Sequence, residues 1–290
     1  SWFLGIRIIR DRSQKKLWLC QDSYIKKIAA TFHLTDRKPP ATPLAVEELV
    51  LNNRQATPQE IYLYQRKVGS LLYATTITRP DAARAANKLS EFLQNPSARH
   101  QDAVDRAISY LYGTNALAIE YSALSDPDQS AIDCAGDAAF ADDPATRYST
   151  EGYLLKLFNG PIDWRSTKQK TVTTSSTEAE LLALSHAAKE VIWWKRLFQA
   201  IQLNFSQDIS ILCDNRQTIR LLTAETPQIN TKLKHIDIHN HWLRQEIANG
   251  VLQIQWVPTA EMPADGLTKA LPRQRFEIFI KQLGLVDISN

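Results

Sequence analysis

At 290 residues the chain is long enough for about two domains, each with its own core. Its apolar, charged and aromatic fractions of 44%, 22% and 9% are those of globular protein, and no stretch approaches the roughly 18 apolar residues of a membrane span. The net charge of +3 hides an asymmetry: residues 1–124 sum to +6 and residues 125–290 to −3, so the first part is the better candidate to grip a phosphate backbone. Charges interrupt WFLGIRIIR where a signal peptide needs an apolar run. Cys20, Cys134 and Cys213 have no paired or metal-ligand spacing and read as buried thiols.

The opening FLGIRIIRDRSQKKLWLCQ reads as two strands joined by a polar turn at Asp11–Gln14. Strand-like residues follow Ser1 at once, so the chain is expected to start within a domain whose earlier part lies upstream. DSYIKKIAATFHL has the spacing of a short amphipathic helix capped by Asp22 or Ser23. The stretch TDRKPPATPLAVEELVLNNRQATPQE carries four prolines and predicts an irregular linker. Residues 64–114 then predict three helices, with Pro80 and Pro96 as boundaries. Val68, Leu71, Leu72 and Ala74 form one core stripe, and Val104, Ile108 and Leu111 another. Arg66, Lys67, Arg79, Arg84 and Lys88 are expected to face a partner or water. The polar stretch ALSDPDQS marks a domain boundary, giving domains 1–124 and 125–290.

The second part is strand-rich. SAIDCAGDAAF predicts one strand and TEGYLLKLFNG a second, with Asn159-Gly160 as a hairpin signal into PIDWRSTKQKTV as a third. Ser175 to Glu178 has a capping-box pattern and opens a long amphipathic helix to about Leu203. ISILCDN is a short apolar strand of a sheet interior. RQTIRLLTA and TKLKHIDIHNHWLRQEIANG read as helices, the latter stopped by Gly250. VLQIQWVPT is read as the last strand, and a final helix from about Pro263 is interrupted near Pro272.

Four acidic residues stand out: Asp137 in GDAAFADD, Glu180 in SSTEAELLAL, Asp214 in ISILCDN and Asp265 in MPADGLTK. The elements that carry them alternate strand, helix, strand, helix, an order that can converge four carboxylates on one point. Like charges so close repel, so such a cluster implies divalent cations with hard oxygen ligands. Two such ions about 4 Å apart are an arrangement that cuts phosphodiesters. Asp133 lies four residues before Asp137 and shares its strand face, so either can point at the metals.

These strings, with TKLKHIDIHNHWLRQE, resemble the ribonuclease H domain of copia-type retrotransposon polyproteins. WFLGIRIIRD, QDSYIKKI, YQRKVGSLLYATTITRPDAARAANKLSEF and AISYLYGT resemble the end of the same polyproteins' reverse transcriptase. The resemblance implies an α/β ribonuclease H-like fold for the second domain, a five-stranded mixed sheet flanked by helices. For the first it implies a mainly helical thumb or connection region with a short β-hairpin. It also implies Mg²⁺-dependent hydrolysis of the RNA strand of an RNA:DNA hybrid, with two ions and Mn²⁺ as substitute. On this likeness Asp137 bridges both metals, and Glu180, Asp214 and Asp265 complete the ligand set. Glu180 is preferred to Glu178 because it precedes the LLAL stripe, while Glu178 is in capping position. The family pattern likewise favours Asp137 over Asp133, although Gly136 stands where the family has Ser or Thr and Ala139 where a second Asp is common. By side-chain type, Lys168, Gln169, Asn215, Arg244 and Lys269 are read as hybrid contacts. The implied partners are the hybrid, a tRNA-primed template and the polymerase fingers and palm of the polyprotein, in a cytoplasmic virus-like particle or, alternatively, in the nucleus. A binding remnant that no longer cuts is the rival reading.

Phe140–Asp143, FADD, looks like a polymerase motif, but Pro144 and ATRYST follow it in place of an apolar strand, so the polymerase site is expected upstream of Ser1. The loop VPTAEMPAD has no His where cellular ribonucleases H carry one. His235 and His239 lie four apart with His241 nearby, and a structural or substrate-facing role is expected for them. Trp164, Trp193, Trp194, Trp242 and Trp256 are expected mostly in the core.

Overall fold

The computed structural model describes residues 1–124, 131–203, 209–224 and 234–289, apart from the side chain of His235. The chain divides into two compact units: residues 1–123 with 269–290, and residues 124–268. The last 22 residues, expected to close the second domain, thus belong to the first unit. By formal charge the first unit carries +8, from +6 in 1–123 and +2 in 269–290, and the second −5, which together make +3. None of the described helices is long and apolar enough to cross a membrane.

The first unit contains β1 (Trp2–Phe3), β2 (Ile6–Asp11), β3 (Lys16–Cys20), α1 (Asp22–Thr31), α2 (Pro58–Ile77), α3 (Ala83–Ser90), α4 (Ala98–Gly113) and β4 (Leu117–Ser122). The predicted hairpin is β2 and β3, paired from Arg7↔Cys20 to Asp11↔Lys16. Gln21, rather than Asp22 or Ser23, occupies the N-cap of α1 and makes no side-chain cap. The irregular stretch is shorter than expected, because Thr57 and Glu60 form a capping box that starts α2 at Pro58. Both core stripes are buried except at Leu72, which is 37% exposed. Lys67 and Arg79 depart most from expectation. Each is buried, Lys67 against Asp105 at 2.5 Å and Arg79 against Asp81 at 2.7 Å. Asp81 also accepts from the Tyr110 hydroxyl at 2.6 Å, and Arg79 donates to Thr114 O, so the TRPD turn is bolted to α4.

In the second unit β5 (Ile132–Ala139), β6 (Thr150–Leu157) and β7 (Gly160–Lys168) lead into α5 (Ser176–Ala200). Then come β8 (Ser210–Cys213), α6 (Arg216–Thr223), α7 (Lys234–Ala248), β9 (Gln253–Trp256) and α8 (Asp265–Thr268). The chain closes in the first unit with α9 (Arg273–Gln282) and β10 (Leu285–Asp287). β10 pairs antiparallel with β4, so β9 is not the last strand, and the first sheet has the order β1-β2-β3-β4-β10.

The second sheet has the order β7-β6-β5-β8-β9, antiparallel across β5, β6 and β7 and parallel across β5, β8 and β9. Five mixed strands in this order, with helices against them, are the ribonuclease H-like fold that the motifs implied. The β6–β7 hairpin turns at Phe158 and Asn159, both with positive φ, while Gly160 already pairs with Leu157. The turn thus sits one residue before the Asn-Gly pair, in the backbone that a type I′ connection requires. Cys134, Leu155, Leu184, Val191, Ile211 and Leu243 build the core between this sheet and α5 and α7.

Candidate metal centre

The parallel pairing of β5 with β8 sets Cys134 beside Ile211 and Ala135 beside Leu212. Carried on by two residues, that register puts Asp214, just past the end of β8, alongside Asp137. Small residues bring in the third acid. Ala138 on β5 packs on Ala179 and Ala183, and a Cβ on Gly136 would stand 3.4 Å from Ala187 Cβ and from a Leu184 methyl. The first turns of α5 therefore lie close on the strand, and Glu180 is carried to Asp137. Ser175 accepts from Glu178 N at 3.2 Å to start the helix, and Glu178 turns back to Thr174 N and Oγ1. That separates Glu178 from Glu180 by geometry as well as by motif.

Oxygens of Asp137, Glu180 and Asp214 all lie within 4.8 Å of one another, with Asp137 and Glu180 buried and Asp214 half-buried. Oxygens that share one small divalent ion at about 2.1 Å lie at most about 4.2 Å apart, so this hard-oxygen set is compatible with a divalent cation after little adjustment. The cluster is felt nearby. The Cys213 thiol is pushed well above its ordinary pKa, first by burial and next by the Glu180 carboxylate, with Asp214 and Asp137 adding.

Asp265, the fourth predicted acid, is buried at the start of α8 and lies outside that group of three. Its turn is nevertheless tied to the cluster. Thr268 Oγ1 donates to Asp137 Oδ2 and also approaches Asp265 O at 3.1 Å. Gly152, paired with Asp137 on β6, makes room for this turn. A Cβ there would stand 2.7 Å from Leu267 Cβ and 3.1 Å from Thr268 Cγ2. Neither Thr268 nor Gly152 was singled out from the sequence, although Thr268 lies within the same MPADGLTK string. A third addition is Thr259, whose hydroxyl donates to Asp214 Oδ2 at 2.7 Å.

Asp133 is not part of the cluster. It pairs across the strands with Lys156, and burial raises its pKa while Lys156 opposes that shift. In the FADD turn, Asp142 accepts from Thr150 Oγ1 at 2.8 Å, and Asp143 takes Ala145 N, Thr146 N and the Lys168 ammonium. Burial opposes ionisation of Asp143, but Lys168 and the Thr146 and Ala145 donors hold its pKa well below the usual carboxylate range.

Most of the predicted hybrid contacts are engaged within the protein. Lys168 serves Asp143, and Asn215 caps α6 by accepting from Gln217 N and Thr218 N. Arg244 donates to the carbonyls of Leu221 and Ala224. Gln169 is buried, and its amide donates to Ala179 O at 2.8 Å, which fastens a loop to α5. Lys269 is exposed. His239 shares a 2.6 Å hydrogen bond with Ser185 and His241 stands 3.4 Å from Asp237, while the His235 side chain lies outside the described residues. Trp194 and Trp242 pack against the core, but Trp193 and Trp256 are exposed.

Fold and site together describe a ribonuclease H-like unit with a carboxylate cluster suited to divalent ions. No family model matches the chain. It is 36% identical over 97% of its length to the retrovirus-related Pol polyprotein from transposon TNT 1-94 of Nicotiana tabacum, covering 21% of that protein. To the corresponding polyprotein from transposon RE2 of Arabidopsis thaliana it is 33% identical over 99% of its length, covering 19%. Relatives of this chain at 33–36% identity over nearly its whole length are thus Pol polyproteins of copia-type retrotransposons, and the chain spans about a fifth of the length of each of them. Among solved structures, LC11-RNase H1 in complex with RNA/DNA hybrid is similar at a TM-score of 0.36 and 16% identity, over 47% of this chain and 92% of that one.

Proposed function

We propose that the chain is a metal-dependent endoribonuclease that cuts the RNA strand of RNA:DNA hybrids, with the chemistry in the second unit. The observation that carries this reading is the convergence of Asp137, Glu180 and Asp214 oxygens within 4.8 Å. These three residues hold the cations, and Asp265 contributes from the adjoining turn. A pair of bound divalent ions, Mg²⁺ or Mn²⁺, would supply Lewis-acid chemistry there, activating a water for attack on phosphorus and offsetting charge on the leaving 3′ oxygen. The protein's own groups orient the ligands. Thr268 fixes one oxygen of Asp137 and Thr259 one oxygen of Asp214, so each carboxylate enters the site in a set direction. The +8 charge of the first unit suits it to hold the phosphate backbone of the hybrid, as the thumb or connection region of a reverse transcriptase. Lys269 is an exposed candidate for the same task, and the rest of a Pol polyprotein is the natural partner.

The test is to incubate the full chain and Asp214→Asn with a labelled RNA:DNA hybrid, in Mg²⁺ and in EDTA. Cutting of the RNA strand that needs Mg²⁺ and disappears in Asp214→Asn is the expected result. Tight binding without cutting by the unmodified chain would make it a binding module instead.

A further inference from the structure

At the rim of the carboxylate site one cation is held in place with no task in the scheme above. Arg216, the first residue of α6, lays its guanidinium on the indole of Trp256, with Cζ 3.9 Å from the ring centroid. Trp256 is 39% exposed and is itself anchored, because its Nε1 donates to Asp214 O at 3.1 Å. Asn215 between them caps α6, which fixes the backbone from which Arg216 leaves. The indole, the cap and the Asp214 carbonyl thus form a bracket that begins at a metal-holding carboxylate and ends in a cation.

Stacking uses the face of a guanidinium and leaves its N–H edges to other acceptors. Arg216 is exposed, and its contact with the indole is its interaction among the described residues. Exposed arginines ordinarily sample many rotamers. One held over a ring at 3.9 Å has less of that freedom left to lose on binding, and its planar fork matches two oxygens of a phosphate. The surroundings sharpen the point: in a unit of net charge −5, a cation fixed beside the acidic site is where a polyanionic strand finds its complement.

We propose that Arg216, oriented by Trp256, binds a backbone phosphate of the nucleic-acid strand that enters the carboxylate site, and so positions the substrate. This rests on the nuclease reading for the class of substrate, but its first readout is binding. The full chain, Arg216→Ala, Arg216→Lys and Asp214→Asn are compared for hybrid affinity in EDTA over a range of salt, and for cutting in Mg²⁺. Arg216→Ala is expected to raise Kd and KM about tenfold with kcat within about twofold, and to lower the salt slope of log K by about 0.9, the loss of one phosphate contact. Arg216→Lys restores the slope but only part of the affinity, since an ammonium lacks the stacked fork. The exposed position predicts an unchanged far-UV spectrum for both variants.

Unchanged Kd, KM and slope in Arg216→Ala overturn the proposal while leaving the nuclease intact. A fall in kcat at constant Kd also overturns it. An unmodified chain that binds but does not cut, with affinity and slope still lowered by Arg216→Ala, sinks the nuclease reading and upholds the phosphate contact. Failure of the unmodified chain to bind hybrid at all overturns both.

Discussion

The two units bury charge in opposite ways. In the first, Arg79 and Asp81 are fully buried and meet at 2.7 Å, and buried Lys67 meets Asp105. In the second, Asp137 and Glu180 are buried as deeply, but they gather with Asp214 in a group of one sign. A buried pair of opposite charges neutralises itself within the fold, whereas a buried carboxylate cluster is strained until a cation joins it. The first kind of burial serves architecture. The second has no architectural benefit, and in the proposed function it is the place where the chemistry is done.

Substitutions at the two kinds of site break the comparison most sharply. Asp137→Asn should lower cutting by about 10³-fold, as loss of a central electrostatic group does, with no loss of stability in metal-free buffer because repulsion is relieved. Its counterpart Asp81→Asn should cost about 3–5 kcal/mol in urea unfolding, since it leaves the Arg79 guanidinium buried without its carboxylate. If Asp137→Asn destabilised the metal-free chain as much as Asp81→Asn does, the distinction would fail.

A smaller effect is expected from Gly152→Ala. Its Cβ would stand 2.7 Å from Leu267 Cβ, so α8 must shift and take Thr268 away from Asp137. Misplacement of about 1 Å at a catalytic group reduces turnover about 10²-fold, measurable in the same cleavage assay. Thr268→Val keeps the shape and removes the hydroxyl. It should lower kcat about tenfold and raise the Mg²⁺ concentration for half-maximal rate, with a stability change of about 1 kcal/mol. Ser175→Ala should have the least effect on activity: about 1 kcal/mol of stability from the lost N-cap of α5, read by thermal unfolding, with cutting changed less than about threefold.

What was legible in the chain follows from the range of the interactions. The strands and helices around the four acids announced themselves through alternation, an Asn-Gly turn and a capping Ser, all local signals. Asp137, Glu180 and Asp214 were legible because strand end, helix start and strand end are places that a sheet brings together. β4 and β10 were not, because LAIEYS pairs with β3 from far earlier in the chain and LVD pairs with LAIEYS across most of the chain. Lys67 and Arg79 were misread for a related reason. Residue type sends them to the surface, but Asp105 on α4 and Asp81 in the following turn draw them inside. The hybrid contacts read from side-chain type, Lys168, Gln169 and Arg244, had acceptors within the fold that no local pattern revealed. Gly152 and Thr268 gain their roles only when α8 meets β6. Trp256, read as core, is half-open because it closes a strand at the edge of its sheet.

Whether the acids of the second unit hold a divalent ion is decided by titrating Mn²⁺ into the full chain and into Asp137→Asn, with the free ion followed by its paramagnetic resonance. The carboxylate cluster predicts uptake of Mn²⁺ by the unmodified chain and its loss in the variant. Equal uptake by both chains, or none by the unmodified chain in the presence of hybrid, would contradict it.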